Sequence, residues 1–333
     1  KIIFKQEEIS KMKKNIAKLL FLASILSVGN ILNAHNQNVS KDVQKPIEIK
    51  VDDNGNVTKN QSNGNENNKP KTNPTNVSRG GIDTIKNTAG SITVDSSYTS
   101  TGQNYRQRFI ILHYTAIGKE GSLKTLTKEE VSAHYLVSDQ KNDPVYYLVD
   151  ESKRAWHAGA SEWKTTKNLN DSSVGIEIVN DGDAHGSFVP YKNFQIKNVA
   201  VLVKYLADKY QIPATNILGH EDIAPQRKSD PGPLFPWQEL YQKYNIGMWY
   251  DNDRKQAYEA QYSSAWNTVT PSVVQTELKK FGYAIDITNG WDKQTQNVIK
   301  VFQHHFRPSK YDGKIDLETF AILKALNEKY NNK

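Results

Sequence analysis

The sequence has no cysteine among its 333 residues. Disulfide bonds and thiolate metal ligands are therefore excluded, and a lipoprotein anchor is excluded too, because that attachment uses a cysteine thiol. Apolar residues are also scarce, since hydrophobic types make up 37% of the chain and the mean hydropathy is −0.69. This composition indicates that part of the chain forms no hydrophobic core.

Excess positive charge is small once the first residues are set aside. The formal net charge is +7, and residues 1–34 hold six lysines and two glutamates, so they account for +4 and leave +3 for the rest. So small an excess gives little support to nucleic-acid binding. We expect no nucleic-acid partner, and nothing in the sequence implies a stable protein partner.

Residues 1–34 contain the pattern of a secretory leader. A lysine-rich start follows Met12, an apolar run covers Leu19–Val28, and a small residue stands at Ala34. That order is typical of a signal peptide, and the run is short for a membrane span of about 20 residues. Residues 1–11 would be an upstream extension. We expect an exported protein, periplasmic or associated with the cell envelope; an uncleaved membrane anchor is the alternative.

Residues 35–90 are poor in apolar side chains and rich in Asn, Lys, Gly and Ser, as in the run NGNENNKPKTNPTN. Such a segment buries too little apolar surface to offset the entropy lost on ordering. The composition predicts a disordered tether, with ordered sequence beginning near Ser91.

Residues 91–249 combine strand and helix patterns. Short β-branched or aromatic runs at 108–115, 134–138, 145–149 and 174–180 predict strands. Helical spacing of apolar residues predicts one long helix over 194–210. Its buried stripe comprises Ile196, Val199, Leu202, Val203 and Leu206. After a further extended run, IPATNILGH, the mixture indicates an α/β domain.

A polar segment at 250–268 predicts a linker, and residues 269–333 predict a small bundle of three helices. The first helix has Thr270 as its cap, Pro271 in its first turn and Gly282 as its stop. The second begins after Asp292 and the third after Asp316. Together they form a unit of roughly sixty residues, which is marginal but viable as a fold.

Three polar residues at strand ends or beside proline are candidates for a metal site. His113 ends the run RFIILHYT and His220 ends NILGH, while Asp230 precedes Pro231, which restricts its backbone. A lone histidine at a strand end is more often structural. Two imidazoles and a carboxylate nevertheless suffice for catalytic zinc, which takes three protein ligands.

Two charged residues could handle the proton and the developing charge. Glu177 alternates with Ile176 and Ile178 in VGIEIV, so it faces the opposite side of that strand, where we assign it as general base. A solvent-facing glutamate on an edge strand is the alternative. Lys228 stands two residues before Asp230 and could stabilise the oxyanion of a tetrahedral intermediate.

Several motifs together resemble one enzyme family: ILHYTA, VSAHYLV, AWHAG, NDSSVGIEIVN and LGHEDIAPQRKSDPGPLFPW. They are similar to the zinc-dependent N-acetylmuramoyl-L-alanine amidases of the amidase-2 class, over roughly Phe109–Trp249, and closest to the bacterial cell-envelope type. The resemblance implies an α/β fold with a mixed central sheet flanked by helices. It also implies one Zn²⁺ per chain and a peptidoglycan or muropeptide substrate.

The same resemblance implies roles for residues by motif. His113, His220 and Asp230 match the zinc ligands, and Glu177 and Lys228 match the catalytic glutamate and lysine. Four further residues are expected to line the cleft and contact substrate, with His134 equally interpretable as a hydrogen-bonded wall residue: Trp156, His157, Arg227 and His134.

The C-terminal residues resemble the peptidoglycan-binding domain 1 family through VQTELKKFGY and VFQ followed by GKID. This implies a wall-binding role, whereas an inert appendage is the alternative. We therefore expect an exported zinc amidase that cuts between N-acetylmuramic acid and L-alanine. Two other functions remain open at this point: a binding protein without activity, and a zinc endopeptidase acting within the stem peptide.

Overall fold

The computed structural model describes residues 49–51, 57–59 and 81–331. The predicted leader and most of the predicted tether lie outside these residues. The described residues belong to two compact units, one within 49–105 and one from Arg106 onward. Of the helices in these ranges, none combines the length and the apolar character that crossing a bilayer requires.

The first unit consists of paired strands. Strand β1 (Ile49–Val51) pairs antiparallel with β2 (Val57–Lys59), and β3 (Ile82–Asn87) pairs antiparallel with β4 (Gly90–Asp95). Regular structure therefore begins before Ser91, where the sequence predicted it to start. Strands β3 and β4 are joined by a turn in which the Asn87 side chain accepts a hydrogen bond from the Ala89 amide at 2.8 Å. The polar composition of the segment gave no indication of this turn.

The second unit contains a five-stranded sheet in the order β11-β5-β10-β6-β7. Three adjacent pairings are parallel and β7 runs antiparallel to β6, so the sheet is mixed, as predicted. The strands are β5 (Phe109–Tyr114), β6 (Tyr135–Val137), β7 (Tyr146–Tyr147), β10 (Ser173–Ile178) and β11 (Ile217–Gly219). A small separate hairpin joins β8 (Glu162–Trp163) to β9 (Thr166–Lys167).

The central strands β5 and β10 are buried along their whole length. Their continuous apolar runs suit parallel strands that are covered on both faces. Four helices accompany the sheet: α1 (Lys119–Leu126), α2 (Asn193–Tyr210), α3 (His220–Ile223) and α4 (Trp237–Tyr244). Helix α2 is the predicted long helix, and all five residues of its predicted stripe are buried.

The described residues from 269 onward form three helices, as predicted, and one further helix precedes them. The predicted ones are α6 (Pro271–Phe281), α7 (Lys293–Phe306) and α8 (Leu317–Asn331), preceded by α5 (Asn252–Ser263). Thr270 and Gly282 flank α6 as predicted, and the Asp292 carboxylate accepts from the Thr295 amide at the start of α7.

Helix α5 lies within the predicted linker 250–268, so that prediction was wrong. No residue of α5 is buried, which removes the apolar periodicity that would have indicated a helix. Contacts at its ends hold it against α8 instead. Arg254 pairs with Glu328 at 2.8 Å, and the ring of Tyr262 meets that of Phe320 edge-on at 4.9 Å.

The α/β part and the C-terminal helices share one hydrophobic core. Trp163 of β8 packs edge-on against Phe281 and Tyr283, at ring-centroid distances of 5.8 and 5.1 Å. Gly282 permits this approach, because a Cβ there would lie 2.7 Å from the Trp163 ring. The C-terminal helices are therefore packed directly on the α/β part.

Candidate active site

The candidate residues meet at the carboxyl edge of the parallel strands. His113 lies near the end of β5, Glu177 is its register partner on β10, and His220 follows the last residue of β11. Ligand sites of open parallel sheets form at this edge. Asp230 comes from the loop after α3 and is joined to Pro231 by a cis peptide bond.

Three buried ligand atoms form a nearly equilateral triangle. The Nδ1 atoms of His113 and His220 lie 3.0 Å apart, and each lies 3.0 Å from Oδ2 of Asp230. Tetrahedral zinc with ligand distances of about 2.0–2.1 Å needs ligand atoms roughly 3.3 Å from one another. The triangle therefore fits such an ion, and it is the one His, Asp and Glu cluster within the described ranges that could hold a metal.

The protonation of these groups also suits a metal ion. Burial lowers the pKa of His113 and lowers that of His220 to about 3, so both imidazoles are neutral. Burial would raise the pKa of Asp230, but the two imidazoles outweigh it and hold the pKa well below its ordinary value. Two neutral imidazoles and an ionised carboxylate are the forms that bind zinc.

A chain of hydrogen bonds fixes the tautomer of His113. With Nδ1 reserved as a ligand, the proton lies on Nε2, which is 3.0 Å from Nδ1 of His157. His157 in turn reaches Ser173 Oγ through Nε2 at 3.1 Å, and Ser173 donates to the Leu169 carbonyl at 2.5 Å. Outer partners of this kind orient ligand histidines.

His220 is oriented in a similar way by the backbone. Its Nε2 lies 3.0 Å from the Ala158 carbonyl, which leaves Nδ1 free to act as a ligand. The guanidinium of Arg227 donates to the carbonyls of Ala158 and Ala160 at 2.5 and 2.6 Å. Arg227, predicted as a substrate contact, therefore braces the segment that orients His220.

Glu177 is buried and has an unsatisfied oxygen. Its side chain is 5% exposed, and among the described residues none makes a hydrogen bond to Oε2. Burial and the charge of Asp230 raise its pKa well above the ordinary value, while Lys228 acts in the opposite direction. A carboxylate held this way is suited to exchange a proton with a water molecule.

Lys228 is half-buried, and its positive charge acts to lower the pKa values of Glu177, His113 and His220. The chain turns immediately before Lys228. The Arg227 and Lys228 amides both donate to the Ala224 carbonyl at 3.1 Å, so the chain turns there. Its electrostatic effect on three residues of the cluster shows that Lys228 lies near them.

The remaining predicted substrate contacts divide into buried and exposed residues. His134 is fully buried, with Nδ1 accepting from the Gly175 amide at 3.0 Å and Nε2 lying 3.1 Å from the Lys153 carbonyl. Both nitrogens therefore have partners, which favours the alternative of a hydrogen-bonded wall residue. His157 has both nitrogens occupied too, whereas Trp156 is 47% exposed.

Two residues that support the site were not predicted from the sequence. Ser173 ends the hydrogen-bond chain from His113, and the side-chain oxygen of Asn170 accepts from the amides of His157 and Ala158 at 3.1 and 2.8 Å. Both residues lie in the motif NDSSVGIEIVN, but only the folded arrangement shows what they contact.

Comparisons with known proteins agree with this geometry. Residues 103–233 match the N-acetylmuramoyl-L-alanine amidase family model, and residues 271–323 match a peptidoglycan-binding domain family. The amidase AmiD of Escherichia coli (strain K12) is 41% identical over 236 residues, which cover 68% of this chain and 84% of AmiD. The chain belongs to the N-acetylmuramoyl-L-alanine amidase family. The family predicted from the sequence is thereby confirmed, and so is the prediction of an enzyme.

Solved structures confirm the fold of this amidase. AmpDh3 from Pseudomonas aeruginosa superposes with a TM-score of 0.67 at 41% identity, over 72% of this chain and 99% of that one. Escherichia coli AmiD, in complex with the substrate anhydro-N-acetylmuramic acid-L-Ala-D-γ-Glu-L-Lys, gives a TM-score of 0.65 at 38% identity. That alignment covers 73% of this chain and 96% of AmiD.

Proposed function

We propose that this amidase uses zinc to hydrolyse the amide bond between the lactyl group of N-acetylmuramic acid and L-alanine. The observation that carries the proposal is the buried triangle of His113, His220 and Asp230 atoms at 3.0 Å, with the Glu177 carboxylate on the neighbouring strand. When bound there, zinc would supply a Lewis acid for the substrate carbonyl and lower the pKa of water.

The side chains of the site have separate roles in the reaction. Glu177 takes a proton from the attacking water and passes it to the leaving amine, because its raised pKa lets it both accept and return a proton. Lys228 places its positive charge where the oxyanion develops, and a preorganised charge of this kind contributes about 3–4 kcal/mol. His157 and Arg227 act through the ligand histidines, which they orient.

Substrate binding is proposed to involve Trp156. Its backbone is fixed by a hydrogen bond from its amide to Ser132 Oγ at 2.9 Å, while 47% of the residue remains exposed beside His157. An exposed indole on a fixed backbone, adjacent in sequence to His157, provides an apolar surface for a sugar ring or peptide stem. The substrate of the AmiD complex, an anhydromuramyl peptide, supports a muropeptide as ligand.

We propose peptidoglycan or its fragments as the binding partner and the cell envelope as the location. The match of residues 271–323 to a peptidoglycan-binding domain supports the partner. The lysine-rich and apolar pattern from Met12 to Ala34 supports export.

Glu177→Gln tests the mechanism. The amide keeps the shape of the side chain but cannot accept the proton, so kcat on a soluble muropeptide should fall by at least 100-fold. Zinc content and affinity should stay at the wild-type level, because Glu177 is not among the three ligand residues. A Glu177→Gln enzyme that releases peptide at the wild-type rate would overturn the assignment. Glu120→Gln, an exposed glutamate on α1, is the matched control and should change neither quantity.

A further inference from the structure

Two acidic residues directly after the ligand His220 point into the C-terminal helices. Glu221 and Asp222 are 0% and 1% exposed, a burial that is rare for acidic side chains unless they are paired. Glu221 Oε2 lies 2.6 Å from Nδ1 of His304, and Asp222 Oδ2 lies 2.9 Å from Nδ1 of His305. Both histidines belong to helix α7.

The same two carboxylates also hold the backbone of the metal site. Glu221 Oε1 accepts from the amide of Gly232, two residues after the ligand Asp230, at 3.2 Å. Asp222 Oδ2 accepts from the amide of Gly219, the residue before the ligand His220, at 2.8 Å. Each carboxylate therefore joins one histidine of α7 to a backbone segment that carries a ligand.

The two ligand segments are in turn tied to each other. The Glu221 amide donates to the Asp230 carbonyl at 2.8 Å, and a Cβ on Gly219 would lie 2.6 Å from the Pro231 ring. The two segments are in close contact, so a shift of Glu221 or Asp222 would move both ligands. Tyr283 strengthens the arrangement by donating to Asp222 Oδ1 at 2.8 Å.

The histidines themselves are rigidly packed. His305 lies between Trp237 and Phe306, stacked on each at 4.0 Å, and His304 contacts the rings of Phe188 and Tyr311 edge-on. Neither imidazole can follow the carboxylates if these move. Helix α7 therefore presents two fixed hydrogen-bonding groups to the back of the metal site.

We propose that His304 and His305 are positioning residues for the metal ligands His220 and Asp230, so that the C-terminal helices form part of the catalytic unit in addition to any role in wall binding. This inference rests on the proposed zinc-dependent function. Helix α7 would then contribute to zinc affinity, which a separately tethered wall-binding module would not do.

The test is zinc affinity of the full chain, measured by competition with a chromogenic chelator, for wild type and for His304→Leu/His305→Leu. We expect affinity to fall by about tenfold or more, the range found when outer partners of metal sites are removed. Activity on a soluble muropeptide should fall at limiting zinc and recover in excess zinc, because Glu177 and Lys228 are unchanged. His304→Asn/His305→Asn keeps a polar group near each Nδ1 position and should restore most of the affinity.

Asn327→Leu is the control for stability. Asn327 is 1% exposed and donates to Glu277 of α6 at 2.7 Å, away from the ligand segments. This variant should lower the thermal unfolding midpoint but leave zinc affinity unchanged. Should the double leucine variant not fold, Tyr283→Phe removes only the hydroxyl bound to Asp222 and should weaken zinc binding in the same direction.

The outcomes separate the two claims. If the variants that fold bind zinc within twofold of the wild type, the positioning role is wrong while the amidase mechanism stands. If wild type binds no zinc in the same assay, the proposed function fails first. A loss of affinity equal to that of Asn327→Leu would also overturn the positioning role, because it would reflect stability alone.

Discussion

At the residue scale, the metal site depends on how closely neighbouring groups approach. His157 contributes no ligand atom to the triangle, yet it holds the ligand His113 through Nδ1 and sits directly above Gly175 of β10. A Cβ built on Gly175 would lie 2.4 Å from the His157 ring, which is well inside contact distance. The glycine is therefore needed to leave room for the imidazole.

Gly175→Ala should displace His157 and disturb the tautomer of His113. We expect zinc affinity to fall by tenfold or more, together with a lower thermal unfolding midpoint, because the core around β10 is overpacked. Gly118→Ala is the control, since nothing lies within 4 Å of a Cβ at that position. An unchanged zinc affinity for Gly175→Ala would show that His157 does not support His113.

The sequence indicates the three candidate ligands that the fold brings together, but not the residues that support them. His113 and His220 lie at the ends of apolar runs and Asp230 precedes a proline, and these features can be recognised in the sequence. The bonds from His157 to Ser173 and from Arg227 to Ala158 depend on distances between segments far apart in sequence. The sequence predicted that His134, His157 and Arg227 lie near the cleft. It could not show whether each residue contacts substrate or supports the site through hydrogen bonds.

At the scale of elements, apolar periodicity decided which helices were predicted. Helices α2, α6 and α7 bury apolar residues at helical spacing and were predicted, with caps for α6 and α7, whereas α5 buries no residue and was taken for a linker. Helix α5 is held by ion pairs and aromatic contacts with its partner α8, and such contacts leave no periodic signal. Hairpin β3–β4 was missed for a similar reason, because its residues are mostly exposed.

The start of α8 provides a prediction about stability and pH. Asp316 accepts from the Thr319 amide at 3.0 Å and from Arg307 and Lys310 at 2.6 and 2.8 Å. Partial burial would raise the pKa of Asp316, but these donors outweigh it and hold the pKa well below the ordinary value of 3.8. The stability it contributes is therefore present above about pH 4 and is lost as the pH falls through the folded-state pKa.

Asp316→Asn should lower the free energy of unfolding by about 1–2 kcal/mol at pH 7, because hydrogen bonds to a charged acceptor are lost. The difference from wild type should shrink as the pH falls below about 4. Urea unfolding at several pH values measures both effects. Asp312→Asn removes a more weakly placed partner of Lys310, 4.0 Å away, and should change stability by less than about 0.5 kcal/mol. A constant difference across pH would contradict the assignment.

At the scale of the whole molecule, the α/β part and the C-terminal helices are joined by a common core and by buried acid–histidine pairs. The sequence predicted both folds and the family of each, but placed a linker between them. Their contact could not be predicted, because the residues that form it, such as Trp163 and His305, fit the core of either part equally well. The segment that follows His220 is therefore joined directly to the C-terminal helices.

The decisive experiment identifies the bond that the enzyme cuts. The zinc-loaded enzyme would be incubated with anhydro-N-acetylmuramic acid-L-Ala-D-γ-Glu-L-Lys, and the products identified by mass spectrometry. The zinc-dependent amidase mechanism predicts two products, anhydro-N-acetylmuramic acid and a peptide with a free L-alanine amino group, which disappear on chelation and return with zinc. Cleavage within the peptide, or the same products at an undiminished rate without metal, would contradict it.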